Sequence, residues 1–253
     1  MEGGIDLVPG RREGYRLWDV DGREFLDLHL NGGTFSLGHR NPELSRILAE
    51  GLADWDVGNH HFGSEPKAAL AKALVEAAPG DMQYAVLTCG GSEAVEVAIK
   101  SARWATGRRR IVSIDAGFHG RTGLSGAAGN DEVAQFFLSD RPEEFTKVPF
   151  NDLDAMRAAL RTGGIAAVLL ETIPATCGFP VPDDDYLPGV KALCGEYGAL
   201  YIADEVQTGL GRTGCMWGVD NWSVEPDILI TGKGLSGGLY PVSAAVLSAR
   251  AGA

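Results

Sequence analysis

The sequence is poor in the features that announce a metal site, a disulfide framework or a membrane segment. Its four cysteines, Cys89, Cys177, Cys194 and Cys215, show no paired spacing, which argues against structural zinc and against a disulfide-stapled scaffold. No apolar run approaches the ~20 residues needed to cross a bilayer, and the opening MEGGIDLVPGRREG has no apolar signal-peptide core. Basic residues are the minority charge, 22 Lys and Arg against 34 Asp and Glu, for a formal net charge of −12. That balance repels nucleic acid and anionic membranes, so any bound anion must be held by local donors. His60 and His61 are adjacent, so their side chains diverge, and no neighbouring carboxylate completes a metal set. No G-x-S-x-G elbow is present, which counts against an α/β-hydrolase. A cytoplasmic protein is the expectation.

What is present is alternation. YRLWDVDGREFLDL reads as a hairpin turning at Asp21-Gly22. PELSRILAEGLADW and EPKAALAKALVEAAPG have helical spacing, the second closed by Pro79-Gly80. Short apolar runs then predict strands at 84–89, 110–115, 145–150, 166–172, 199–205, 227–232 and 241–248, with helical stretches such as SEAVEVAIKSARWATG and YLPGVKALCGEYG between them. The pattern predicts an α/β fold, a mostly parallel seven-stranded sheet with helices on both faces. In such sheets ligands bind beyond the carboxyl ends of the strands, so chemistry is sought there.

At the first strand end, LTCGGSEAVEVAIK places Gly90 and Gly91 in a tight turn and Ser92 as the N-cap of a helix. This is a ready phosphate cradle or plain capping, with equal weight on each. Phe118 and His119, in SIDAGFHGRTG, occupy a glycine-rich loop where a ring could cover a flat ligand; loop aromatics more often pack on the core. LYIADEVQTG puts Asp204 and Glu205 at the mouth of an apolar strand on opposite faces. Until a cationic partner is named, two solvated carboxylates are the better reading. GLGRTG (209–214) fits the dinucleotide fingerprint, but no helix follows it, and Asp227 begins its strand instead of ending it. Nucleotide binding through that motif is rejected. DILITGKGLSGG sets Lys233 among Gly232, Gly234, Gly237 and Gly238, either a solvated turn lysine or a reactive amine given room by glycines. A phosphate cradle, an aromatic loop, a carboxylate and a glycine-flanked lysine would together suit pyridoxal phosphate, which carries a phosphate, a flat ring, a basic ring nitrogen and an aldehyde.

DEVQTGLGRTG with PDILITGKGLSGG downstream resembles the class III aminotransferases, pyridoxal-phosphate enzymes of fold type I. GGSEAVEVAIKSAR, FHGRT and the early LWDVDGREFLDL…LGHRNP fall in that family's order. The resemblance implies that Lys233 forms the aldimine with the cofactor and later moves the proton. It implies that Asp204 pairs with the pyridine nitrogen, and that Val206 and Gln207 lie beneath the ring and near its phenolic oxygen. Gly91 and Ser92 match the phosphate-binding turn, Phe118, beside His119, matches the stacking aromatic, and Glu171 matches a strand-end glutamate near the site. The glycines around Lys233 would leave room for the cofactor.

The same resemblance implies an N-terminal segment (1–60), a cofactor-binding large domain (61–253) and a C-terminal small domain beyond this chain, with a homodimer as the full-length form. The implied activity moves an amino group from an amino donor to a keto acid or aldehyde acceptor. An aminomutase, epimerase or decarboxylase of the same family would share every motif, and a non-catalytic remnant would share the fold. After Glu171 the chain reads TIPATCGFPVP where many relatives have a proline and a glycine-rich stretch, which leaves the substrate class open. None of its arginines, Arg212 included, matches the family's substrate-carboxylate arginine.

Overall fold

A computed structural model of the protein describes residues 7–56, 58, 61–137 and 142–252. All seven expected strands form and join one sheet: β4 (Met82–Thr88), β5 (Arg110–Ile114), β6 (Phe145–Val148), β7 (Ile165–Glu171), β8 (Leu200–Asp204), β9 (Ile228–Thr231) and β10 (Ser243–Ser248). The spatial order is β4-β10-β9-β8-β7-β5-β6. The five strands from β9 to β6 run parallel, while β10 is antiparallel to both β4 and β9.

β7, β8, β9 and β10 are buried along their whole length, because helices cover both faces, as parallel sheets require. Alternate residues go to different cores. Val168, Leu170, Tyr201 and Ala203 pack on one side with Leu187, Val190 and Trp217. Leu169, Leu200, Ile202 and Ile230 pack on the other against Val95 and Ile99 of the helix Gly91–Thr106. That helix buries Ala94, Val95, Ala98, Ile99 and Ala102, a single stripe at helical spacing, and ends on Gly107 in the left-handed conformation.

The hairpin forms from β2 (Arg16–Asp19) and β3 (Glu24–Leu26), with Leu17 opposite Phe25. A further strand, β1 (Pro9–Glu13), pairs with β2. It left no trace in the apolar pattern because every one of its residues is exposed. Beyond the hairpin, residues 28–44 run back over the C-terminal end of the sheet.

That docking gives the glycines around Lys233 a role the sequence did not show: they let other segments of the protein come close. A Cβ on Gly234 would fall 3.1 Å from the Ser36 hydroxyl, one on Gly237 2.4 Å from Leu44 Cδ1 and one on Gly238 2.3 Å from the Phe35 ring. Gly232 is likewise tight against Ser243, at 2.6 Å. Gly238→Ala combines that clash with a φ of 80°, so it is expected to destabilise the chain by about 2–4 kcal/mol. A urea midpoint unchanged from wild type would contradict this.

Candidate active site

The sheet's two-sided alternation decides where its strand-end carboxylates point. Glu171 and Asp204 are paired in register on neighbouring parallel strands, and by alternation both lie on the face covered by the helix Gly91–Thr106. Glu205, one residue on, lies on the other face. Neither Asp204 nor Glu205 is solvated, at 4% and 1% exposure, and the reading of two solvated strand-end groups is therefore corrected. Each has partners contributed by distant segments. Asp204 Oδ2 lies 2.9 Å from His119 Nδ1, and Asp204 Oδ1 accepts the Val206 N–H at 3.2 Å.

Glu205 accepts four bonds: from the Thr172 hydroxyl, from the Thr208 hydroxyl at 2.8 Å and from the N–H groups of Gly218 and Val219 at 2.7 and 3.0 Å. Burial pushes its carboxyl up, and these donors pull it back.

All nine residues singled out by the sequence line one cavity of about 780 Å³ at the C-terminal edge of the sheet. Glu171 holds the aromatic loop in place, accepting the N–H of Phe118 at 2.9 Å through Oε1 and that of Ala175 at 3.1 Å through Oε2. Burial raises the Glu171 carboxyl above the ordinary value; the His119 charge opposes that, and the Asp204 charge adds to it. Phe118 and His119 therefore line the cavity. The His119 ring is buried, and its Nε2 has no hydrogen-bond partner among the described residues.

The helix cap differs from expectation. The N-cap is Gly90, in extended conformation, and the helix starts at Gly91. Ser92 thus stands inside the first turn, where its hydroxyl accepts the Arg121 N–H at 3.1 Å and ties the helix to the loop after Phe118. Gly120 passes so close that a Cβ there would lie 2.3 Å from the Ser92 hydroxyl. Glu93 in turn accepts the Cys89 N–H at 2.8 Å. Gly91 and Ser92 line the cavity, and a helix start leaves its first-turn N–H groups without intrahelical partners.

Lys233 leaves β9 with φ at 41°, and its amine donates to the Gln207 side-chain oxygen. Burial lowers the ammonium below the ordinary 10.5, with nearby Asp204 and Glu171 opposing and Arg212 reinforcing the shift. The sign is functional: a depressed value leaves more free amine near neutrality. The rate at which an aldehyde such as pyridoxal phosphate is taken up by Lys233 is expected to rise with pH and level off below 10.5. A stopped-flow absorbance profile still climbing past that point would contradict the shift.

Two contributors to the cavity went unseen in the sequence. The segment 28–33 of the N-terminal region roofs it, and Arg212, from the rejected GLGRTG motif, enters from the side. The motif makes turns and no helix, and Gly209 packs against Trp217, where a Cβ would lie 2.9 Å from the indole. Among the described residues no cluster of His, Cys, Asp and Glu could hold a metal ion; His60 lies outside them. No helix of the described residues is long and apolar enough to cross a membrane.

This fold with this cavity matches one family. Residues 2–251 match the aminotransferase class-III family, and the chain belongs to it. Among its relatives, an uncharacterized aminotransferase of Archaeoglobus fulgidus is 51% identical over 95% of this chain and 56% of its own length. The acetylornithine aminotransferase of Methanopyrus kandleri is 37% identical over 96% of this chain and 61% of its own length. The structure of the taurine:2-oxoglutarate aminotransferase of Bifidobacterium kashiwanohense, solved with PLP and glutamate, superposes with a TM-score of 0.92 at 31% identity, covering 99% of this chain and 62% of that one. The chain thus spans somewhat over half the length of the proteins it matches.

Proposed function

We propose that the chain is the cofactor-binding part of a pyridoxal-phosphate-dependent aminotransferase, moving an amino group from an amino donor to a keto acid or aldehyde. The observation that carries this reading is one cavity joining the half-buried Lys233 amine, the Asp204 carboxylate and the start of the helix Gly91–Thr106. The residues fit the cofactor. The first-turn N–H groups of Gly91 and Ser92 suit its phosphate, Phe118 and Val206 suit the two faces of its ring, and Asp204 suits its ring nitrogen. Gln207, already bonded to Lys233, suits the oxygen beside the aldehyde.

Bound there, the cofactor supplies an electron sink for a carbanion at the substrate carbon. The chain's own residues do the rest. His119 orients Asp204 through Nδ1 and keeps that carboxylate aimed into the cavity. Lys233, its pKa lowered by burial, carries a proton to and from the substrate carbon through Nζ. Gly91, where a Cβ would crowd Val206 at 3.2 Å, lets the helix start approach the floor of the site. Residues 61–253 form the cofactor-binding domain in this reading, with the N-terminal segment docked on it. A cytoplasmic homodimer is the working form.

The test is amino transfer. The chain, alone and joined to the C-terminal part of the Archaeoglobus fulgidus relative, is supplied with pyridoxal phosphate, 2-oxoglutarate and a panel including acetylornithine and taurine. Glutamate formation from at least one donor is the expected result. Racemised or decarboxylated product without transfer to any acceptor would overturn the reading in favour of another reaction of the same cofactor.

A further inference from the structure

The roof of the cavity is built against the preferences of its own backbone. Leu30, Asn31, Gly32 and Gly33 follow one another in the left-handed region, with φ of 49°, 54°, 62° and 84°. Two of the four carry a Cβ, and such residues persist there only when their surroundings over-determine them. Asp27 Oδ1 accepts the N–H groups of His29 and Leu30 at 3.0 and 2.8 Å, and His29 Nδ1 accepts that of Gly32 at 3.2 Å. The far end is held by Arg212, whose Nη2 donates to the Gly33 carbonyl at 2.6 Å.

Arg212 is held on its other side as well, its Nε donating to the Gln207 carbonyl at 2.7 Å. The guanidinium lies flat on Gly33, where a Cβ would fall 2.5 Å from Cζ and 2.7 Å from Nη1. Next to it, a Cβ on Gly32 would be 3.7 Å from Lys233 Nζ. Both partners of the guanidinium are neutral carbonyls, and no carboxylate among the described residues pairs with it. Its remaining N–H groups, both on Nη1 and one on Nη2, are left for something else. A guanidinium fixed by its edges, with donors to spare and no counter-charge, is an anion-binding group already in position.

We propose that Arg212 holds a carboxylate of the substrate in this cavity, beside the Lys233 amine. Gly33 is the residue that lets the guanidinium in. The identity of the ligand as an amino or oxo acid rests on the aminotransferase reading, while the anion site itself stands on the geometry. The rejected GLGRTG motif then has a use: its turns carry one arginine back across the mouth of the site.

The probe is glutarate, titrated into the chain with pyridoxal phosphate present and followed by the arginine Nε–Hε resonances in nitrogen-15 spectra. Saturable binding that shifts the Arg212 signal is expected, weakened about 10–100-fold in Arg212→Gln, as for loss of a charge-assisted bond. Gly33→Ala should weaken it similarly, and Arg212→Lys should restore part of it. A second arm compares β-alanine with propylamine as amines reacting with the loaded chain: Arg212→Gln should weaken only β-alanine. Thermal melts confirm that each variant folds.

Equal weakening of both amines would overturn the proposal and leave Arg212 a fastening for the roof. Glutarate binding unaffected by Arg212→Gln but lost in Arg121→Gln would also overturn it, placing the anion at the arginine beside Phe118, 5.9 Å from its ring centroid. A chain that takes up no cofactor would overturn the aminotransferase reading, and the glutarate titration would still decide the role of Arg212.

Discussion

Lys233→Ala is expected to remove every trace of covalently held pyridoxal phosphate. Wild-type protein incubated with the cofactor should carry a visible absorbance band that survives desalting, and borohydride should convert it to a stable mass increase on the peptide containing Lys233. The variant should show neither, because no other described lysine lines the cavity. The fold should be untouched: the side chain is only partly buried, and its one hydrogen bond is to Gln207. A retained band, or borohydride labelling of another lysine, would sink the assignment. Loss of the band together with a lowered melting temperature would mean that the substitution acts on the fold instead.

Glu205→Ala should have the largest effect on stability. It strands four donors at once, the hydroxyls of Thr172 and Thr208 and the N–H groups of Gly218 and Val219, in a region closed to water. Each buried donor left without its acceptor costs about 1–3 kcal/mol, so even with partial relaxation the loss should be about 3–5 kcal/mol, on the order of 10 °C in melting temperature for a chain of this size. Glu205→Gln keeps the volume and one acceptor oxygen, so it should fall between. Melting within a degree or two of wild type for Glu205→Ala would show that the network is replaceable by water. Asp204, one residue earlier, is the contrast. It has one donor and one histidine, and it faces the cavity, so the neighbouring carboxylates separate into one for the site and one for the frame.

Much of this was legible in the sequence, and the limits have physical causes. The seven strands could be read because central strands of a covered sheet are apolar along their whole length. β1 could not, since a fully exposed strand has no face to mark. Alternation put Asp204 and Glu205 on opposite sides correctly. Their burial escaped notice because the partners, His119, Thr172 and Gly218, come from loops whose return to the strand end has no local signal. Ser92 was taken for the cap, which falls two positions earlier, on Gly90 in extended conformation. The glycines flanking Lys233 were noticed for a close approach, but the protein neighbours that make one have no local signal. What approaches is the segment around Phe35 and Leu44. Arg212 was hidden inside a motif whose glycines suggest a nucleotide.

The bond between Arg212 and Gly33 joins residues 179 positions apart in the chain. The roof of the cavity is therefore synthesised well before the residues that fasten it, and it cannot close until Arg212 and then Lys233 have left the ribosome. Until then Phe35 and Leu44 have no glycine seam to dock on and remain open to solvent or to chaperones. Contacts this distant in sequence form slowly, so closing the cavity is a slow step. A cofactor that binds only the closed cavity would then draw that step forward by mass action, and yields of folded protein would rise with its supply during synthesis.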